Sequence, residues 1–92
     1  LGGAGAVAFS REGAWRIGAL PIRPVDTTAA GDAFVGTFAA AAESGFELPD
    51  ALRRASVAGG LACLVQGAQP SLPDKAMVEA RLEELAPATR FD

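Results

Sequence analysis

The sequence predicts an α/β chain, a β-hairpin followed by three helices. Three observations carry that reading. Near the N-terminus Trp15 and Ile17 alternate with Arg16 and Gly18, the period of a half-buried strand. From Gly31 onward apolar residues recur every three to four positions, the period of a helix face. Glycines and prolines gather between these stretches, where chains turn.

The elements follow in order. "GAVAFS" (Gly5 to Ser10) is small, apolar and partly β-branched, and reads as a buried strand. "REG" (Arg11 to Gly13) is a turn, and "AWRIGAL" (Ala14 to Leu20) is the second, antiparallel strand. "PIRPVDTT" holds two prolines, which suit neither a helix nor a central strand, so it reads as an extended connection. A helix spans Gly31 to Gly45, with Phe34, Val35, Phe38 and Ala42 at helical spacing and a glycine stop. Its alanines and Gly36 favour close packing on a neighbour. A second helix starts at "ELPD", where Pro49 fits a first turn and Asp50 complements the positive helix end, and runs to about Gln66 before Gly67. Gly59 and Gly60 inside it each cost about 1 kcal/mol relative to alanine. Something therefore comes close to the backbone there, either another helix or a ligand. "GAQPSLPD" is a loop. A last helix, Asp74 to Leu85, turns Met77, Val78, Leu82 and Leu85 inward and leaves Lys75, Glu79, Arg81, Glu83 and Glu84 in solvent. Residues 1–92 are read as one unit, without repeats.

Composition excludes several functions. Half of the 92 residues are hydrophobic, a globular proportion. The net charge is -3 and no basic stripe appears, so nucleic acid is not an expected partner. One cysteine, Cys63, and no histidine exclude a disulfide framework and any metal site built on several such ligands. Cys63 reads as a small core residue. No apolar run approaches the ~20 residues of a membrane span, and "LGGAGAVAFS" lacks the basic start of a signal peptide. The expected setting is cytoplasmic.

The chemistry concentrates in "DTTAAGDAF", Asp26 to Phe34. A helix that begins near Gly31 offers its first N–H groups, which have no intrahelical acceptor, to an anion, and Gly31 lets that anion approach. Asp32 in that turn reads either as a helix cap or as a base beside a bound phosphate. Apolar flanks put Asp32 at the edge of a core, and a second acid, Asp26, lies six residues before it. Phosphoryl transfer needs little more than positioning, a base and neutralised charge.

The stretch resembles the C-terminal signature of the ribokinase-like (PfkB) carbohydrate kinases, D-T-x-(A/G)-A-G-D-x-F. Asp26, Thr27, Ala30, Gly31, Asp32 and Phe34 match it. "LGGAG" is similar to the family's L-G-x-x-G strand and turn, and "GAQPSLP" to the loop that follows its helix. The resemblance implies the C-terminal part of a three-layer α/β/α kinase fold. It implies Asp32 as catalytic base toward a sugar hydroxyl, with the N–H groups of Ala30, Gly31 and Asp32 as anion hole. ATP contacts would fall on Gly2, Gly3, Ala4, Gly5, Gly31, Asp32 and, in the next helix, Ser56, where many members carry a larger residue. A monovalent cation, K⁺, would be held by Asp26, Thr28, Ala62, Val65, Gly67 and Ser71, and Mg²⁺ would accompany ATP. The implied activity is ATP-dependent phosphorylation of a sugar, ribose first, by an enzyme that is a homodimer at full length. The family's N-terminal sugar motif has no match here. The chain thus reads as a C-terminal fragment that is inactive alone, the alternatives being a non-catalytic nucleotide- or cation-binding fragment or a structural remnant.

Overall fold

The computed structural model describes residues 5–11, 13–20, 29–64 and 73–91. Strands β1 (Ala6–Ser10) and β2 (Gly13–Ile17) form the expected antiparallel hairpin, with Ala6 opposite Ile17 and Ala8 opposite Trp15. These four side chains face inward, as the two-residue period requires. Val7 and Phe9 project from the other face and are exposed. Helices α1 (Ala30–Glu43), α2 (Leu48–Ala62) and α3 (Lys75–Ala80) follow, and a short strand β3 (Thr89–Arg90) pairs antiparallel with β2. The sheet order is β1-β2-β3.

Helix α2 is the centre of the molecule. Its residues Leu52, Ala55, Val57, Ala58 and Ala62 are almost wholly shielded from solvent. A helix buried on most sides must have partners around it. Helix α1 covers one flank through Ala33 and Ala41, with Phe34 and Phe38 stacked beside them at 6.4 Å. The hairpin covers a second flank through Ile17, and Val78 and Leu85 cover a third. The small side chains let α1 come close, as the alanine content predicts. Val35 and Ala42 fall off this face and are exposed. Gly45, at φ +94°, ends α1 after Glu43, and the Gly45 and Phe46 amides donate to the carbonyls of Ala42 and Ala41.

Besides the exposed face of β1, which the sequence read as a buried strand, and the exposed Val35 and Ala42, four details differ from the sequence reading. Strand β2 ends at Ile17, and Gly18 to Leu20 leave the sheet because Leu20 is drawn down onto α2, where it is buried. Helix α2 stops at Ala62, short of Gln66. The Cys63 amide is shared between the carbonyls of Gly59 and Gly60, which tightens the last turn. The last helix is broken in two. Asp74 caps α3 by accepting the Met77 amide at 2.8 Å, Arg81 then leaves helical geometry, and a 3₁₀ turn spans Leu82–Glu84. Tertiary bonds hold the segment after the break. Arg53 of α2 donates to the carbonyls of Leu82 at 2.7 Å and Leu85 at 2.9 Å. Arg81 grips Glu84 in the same turn with two bonds of 2.6 and 2.7 Å, which hold the Glu84 carboxyl below its ordinary pKa. A six-residue helix buries little more than one side chain per turn, here Val78, so Met77, expected inside, is half exposed. Strand β3 is the fourth difference. Its two residues carry no pattern of their own, and the Phe91 amide completes its attachment by donating to the Ala14 carbonyl at 3.0 Å.

The glycine pair in α2 is explained by packing. A Cβ on Gly60 would lie 2.8 Å from Leu20 Cδ1 and 3.0 Å from Leu20 Cβ, an atom fixed to the backbone. A Cβ on Gly59 would make ordinary contact, 3.4 Å from the Ala30 carbonyl oxygen. Helix propensity alone would make either glycine-to-alanine change stabilising by about 1 kcal/mol. We therefore expect Gly59→Ala to be neutral or stabilising in denaturant unfolding, and Gly60→Ala to destabilise by about 1–3 kcal/mol through overpacking. Equal stabilisation by both would contradict the packing described.

Candidate functional site

The first turn of α1 is the chemically distinctive place among the described residues. The residue before it, Ala29, has φ -104° and ψ 6° and bears no side-chain acceptor, so nothing at the cap position satisfies the helix amides. The first intrahelical bond runs from the Ala33 amide to the Ala29 carbonyl at 3.0 Å. The N–H groups of Ala30, Gly31 and Asp32 precede it and have no intrahelical acceptor. The helix dipole adds partial positive charge at the same point. Asp32 stands inside the first turn, two residues past the start, so it is not the cap that its residue type would favour. Its side chain is exposed while the adjoining Ala33 is fully buried. The carboxylate therefore lies at the rim of the core, open to a reactant, beside amides that suit an anion.

The position of this turn is set by α2. The Ala30 carbonyl and the Phe34 ring lie against Gly59, and Leu20 lies against Gly60. The protein itself fills the space at both glycines, which decides between the two readings of that pair.

Two other expected site residues lie near the hairpin's exit, one turn before Gly59 along α2. Gly5 adopts φ +83° and is flush with the hairpin's exit, where a Cβ would overlap the Ile17 carbonyl oxygen and crowd Gly18. The Ser56 hydroxyl donates to the Gly18 carbonyl at 2.7 Å, and Ser56 is buried. Gly5 and Ser56 thus share Gly18 as a neighbour, and Ser56 lies three residues before Gly59 on α2. Ala62 is the last residue of α2, its side chain buried and its carbonyl in the turn where intrahelical donors run out. Gly2, Gly3, Ala4, Asp26, Thr28, Val65, Gly67 and Ser71 lie outside the described residues. Among the described residues no group of three or more His, Cys, Asp or Glu could hold a metal, and no helix is long and apolar enough to cross a membrane.

The sequence reading missed two features of this region. One is the bond from Ser56 to Gly18. A buried hydroxyl in an apolar helix needs an acceptor, which is a usable signal, but the pattern does not say which one. The other is Arg53 and Arg54 on α2. Arg54 lies over the Phe46 ring at 3.9 Å and bonds Glu79 at 3.1 Å, fastening α3 as Arg53 fastens the 3₁₀ turn. A cleft of about 160 Å³ lined by Gly36, Thr37, Ala41, Phe46, Arg54 and Val78 adjoins them, along the C-terminal part of α1 and away from Asp32.

Comparison with known proteins decides the family. Residues 1–75 match the model of the pfkB family carbohydrate kinases. The chain belongs to that family. A pfkB-family relative, the ribokinase of Lactococcus lactis, is 38% identical over 85 residues, 92% of this chain and 28% of its own length. The solved structure of Arabidopsis thaliana ribokinase complexed with ribose and ATP superposes with a TM-score of 0.82 at 36% identity, over 90% of this chain and 27% of that one. A structure from E. coli in complex with ATP and Mg²⁺ superposes with a TM-score of 0.84 at 29% identity, over 89% of this chain and 27% of that one. The chain thus spans about a quarter of the length of these pfkB-family relatives, and its α/β arrangement is the one they have over that quarter.

The location of Asp32 predicts how little the fold needs its charge. Asp32→Asn forfeits one exposed interaction with the helix dipole, worth about 0.3–1 kcal/mol. Thermal or denaturant unfolding of the two proteins should differ by no more than that. A loss above about 2 kcal/mol, the upper end for a lost cap, would return Asp32 to a structural role.

Proposed function

We propose that this chain is the C-terminal part of an ATP-dependent sugar kinase, in which Asp32 takes the proton from a sugar hydroxyl, ribose being the first choice of substrate. The observation that carries the reading is the first turn of α1, where uncapped amides and an exposed carboxylate stand side by side. Family membership supports it, as do the ribokinases that superpose on the chain.

The proposed division of labour is supported by the geometry of the α1 turn and, for the remaining residues, by the family resemblance. The amides of Ala30, Gly31 and Asp32 bind phosphate oxygens and meet the negative charge that gathers on them during transfer. Asp32 orients the attacking hydroxyl and accepts its proton. Helix α2 holds that turn in place through Gly59. Gly5 and Ser56, at the hairpin's exit, belong to the nucleotide side, together with Gly2, Gly3 and Ala4. ATP supplies the phosphoryl group, and Mg²⁺ bound with it would offset phosphate charge. The K⁺ reading places Asp26, Thr28, Ala62, Val65, Gly67 and Ser71 around a cation that tunes the field at the anion hole. The setting proposed is cytoplasmic and the full-length enzyme a homodimer. The family's N-terminal sugar motif has no match in the 92 residues, and positioning of the sugar is much of this reaction's barrier reduction. A quarter share of the relatives' length favours, for the isolated chain, the second reading of a non-catalytic nucleotide- or cation-binding fragment.

The test is a chimera in which residues 1–92 replace the matching segment of the Lactococcus lactis ribokinase. Asp32→Asn in that chimera should lower the rate of ribose phosphorylation by about 10²–10⁴-fold, the usual contribution of a general base. An unchanged rate would remove Asp32 from the chemistry. In the same chimera, exchange of potassium for a large organic cation should reduce the rate, and equal rates in both would end the cation proposal.

A further inference from the structure

Gly5, Gly18, Ser56, Gly59 and Ala30 form a continuous line of contacts through α2. At one end Gly5 is seated on the backbone of Ile17 and Gly18, a fit that only a residue without a side chain allows. Gly18 in turn is tied to α2 by the 2.7 Å bond its carbonyl accepts from Ser56. One helical turn further along α2, Gly59 faces the Ala30 carbonyl, the first turn of α1. Gly60 beside it is pressed by Leu20, two residues beyond Gly18, so the hairpin's exit is held on α2 at two points. Helix α2 is closely packed here, so the separation between Gly5 and the Ala30–Asp32 turn is set by how each is held against it.

The Ser56 hydroxyl has one hydrogen to give, and it gives it to Gly18. With the side chain 8% exposed, little of it is left to touch a nucleotide base. We propose that Ser56 is a positioning residue for the nucleotide site. By fixing Gly18 on α2 it spaces the Gly5 turn from the anion hole, so that one molecule of ATP meets both ends at once. The proposal rests on the kinase reading above and assigns Ser56 a role through the backbone, where the family resemblance implies a contact with adenine. Preorganisation of this kind acts on ligands that span both ends. A ligand that occupies one end alone does not sample the spacing.

That difference is measurable on the 92-residue chain with three probes: adenosine, tripolyphosphate and ATP. In calorimetric titration, Ser56→Ala should weaken ATP by about tenfold, the scale of one lost hydrogen bond between well-packed partners, and leave adenosine and tripolyphosphate unchanged. Ser56→Thr keeps the hydroxyl and should restore ATP binding. It also serves as the test should the alanine variant unfold, because a threonine variant that folds and still weakens only ATP would contradict the hydroxyl's role. If Ser56→Ala weakens adenosine and ATP by the same factor, Ser56 reads the base and the proposal is overturned. If it lowers the melting temperature with all three affinities unchanged, the bond is structural only and the proposal is again overturned. A wild-type chain that binds none of the probes refutes the nucleotide reading itself, and the spacing role falls with it.

Discussion

Ala55, Val57 and Ala58 have no solvent around them, and the two glycines that follow have no side chains to keep neighbours away. This stretch of α2 is the constraint on which the rest of the structure depends. Burial of a helix on most sides is unfavourable unless every flank is covered, and three separate parts of the chain provide the cover: α1, the hairpin and the segment from α3 to β3. Each is placed by what it rests on. Leu20 reaches in at Gly60, Ala30 at Gly59, and the carbonyls of Leu82 and Leu85 on Arg53. The first turn of α1 inherits its position from that packing.

The arrangement separates stability from chemistry. The groups assigned to the reaction are backbone amides and one exposed carboxylate, and none of them is part of the core. The cap position of α1 holds an alanine, which offers no side-chain acceptor where serine, threonine or aspartate would compete for the first amides. A helix end without a cap is slightly less stable and more able to bind an anion. A functional site that departs from the locally best choice of residue is a common pattern in proteins.

Much of this was legible in the sequence because strong periodicity and strong punctuation agree. The hairpin, the start of α1 and its stop at Gly45, and the start of α2 near Pro49 all follow from residues whose local preference matches the final fold. The family signature located the candidate site. The parts that were not legible depend on long-range contacts. The segment after the break at Arg81 is held by hydrogen bonds from Arg53 to Leu82 and Leu85, 29 and 32 residues away along the chain. Strand β3 is two residues long and exists because β2 has an open edge. Whether Gly59 and Gly60 admitted a ligand or another part of the fold could not be read from a dipeptide, because both uses need the same missing side chain.

The central claim is that the first turn of α1, held against α2, is an anion site. Backbone amide resonances in a ¹⁵N-labelled chain test it most directly during titration with tripolyphosphate. The account predicts that the amides of Ala30, Gly31 and Asp32 shift most, saturably and with one dissociation constant, while those lining the cleft near Arg54 stay in place. Shifts centred on Arg54 and Lys75, with the α1 amides unmoved, would contradict it.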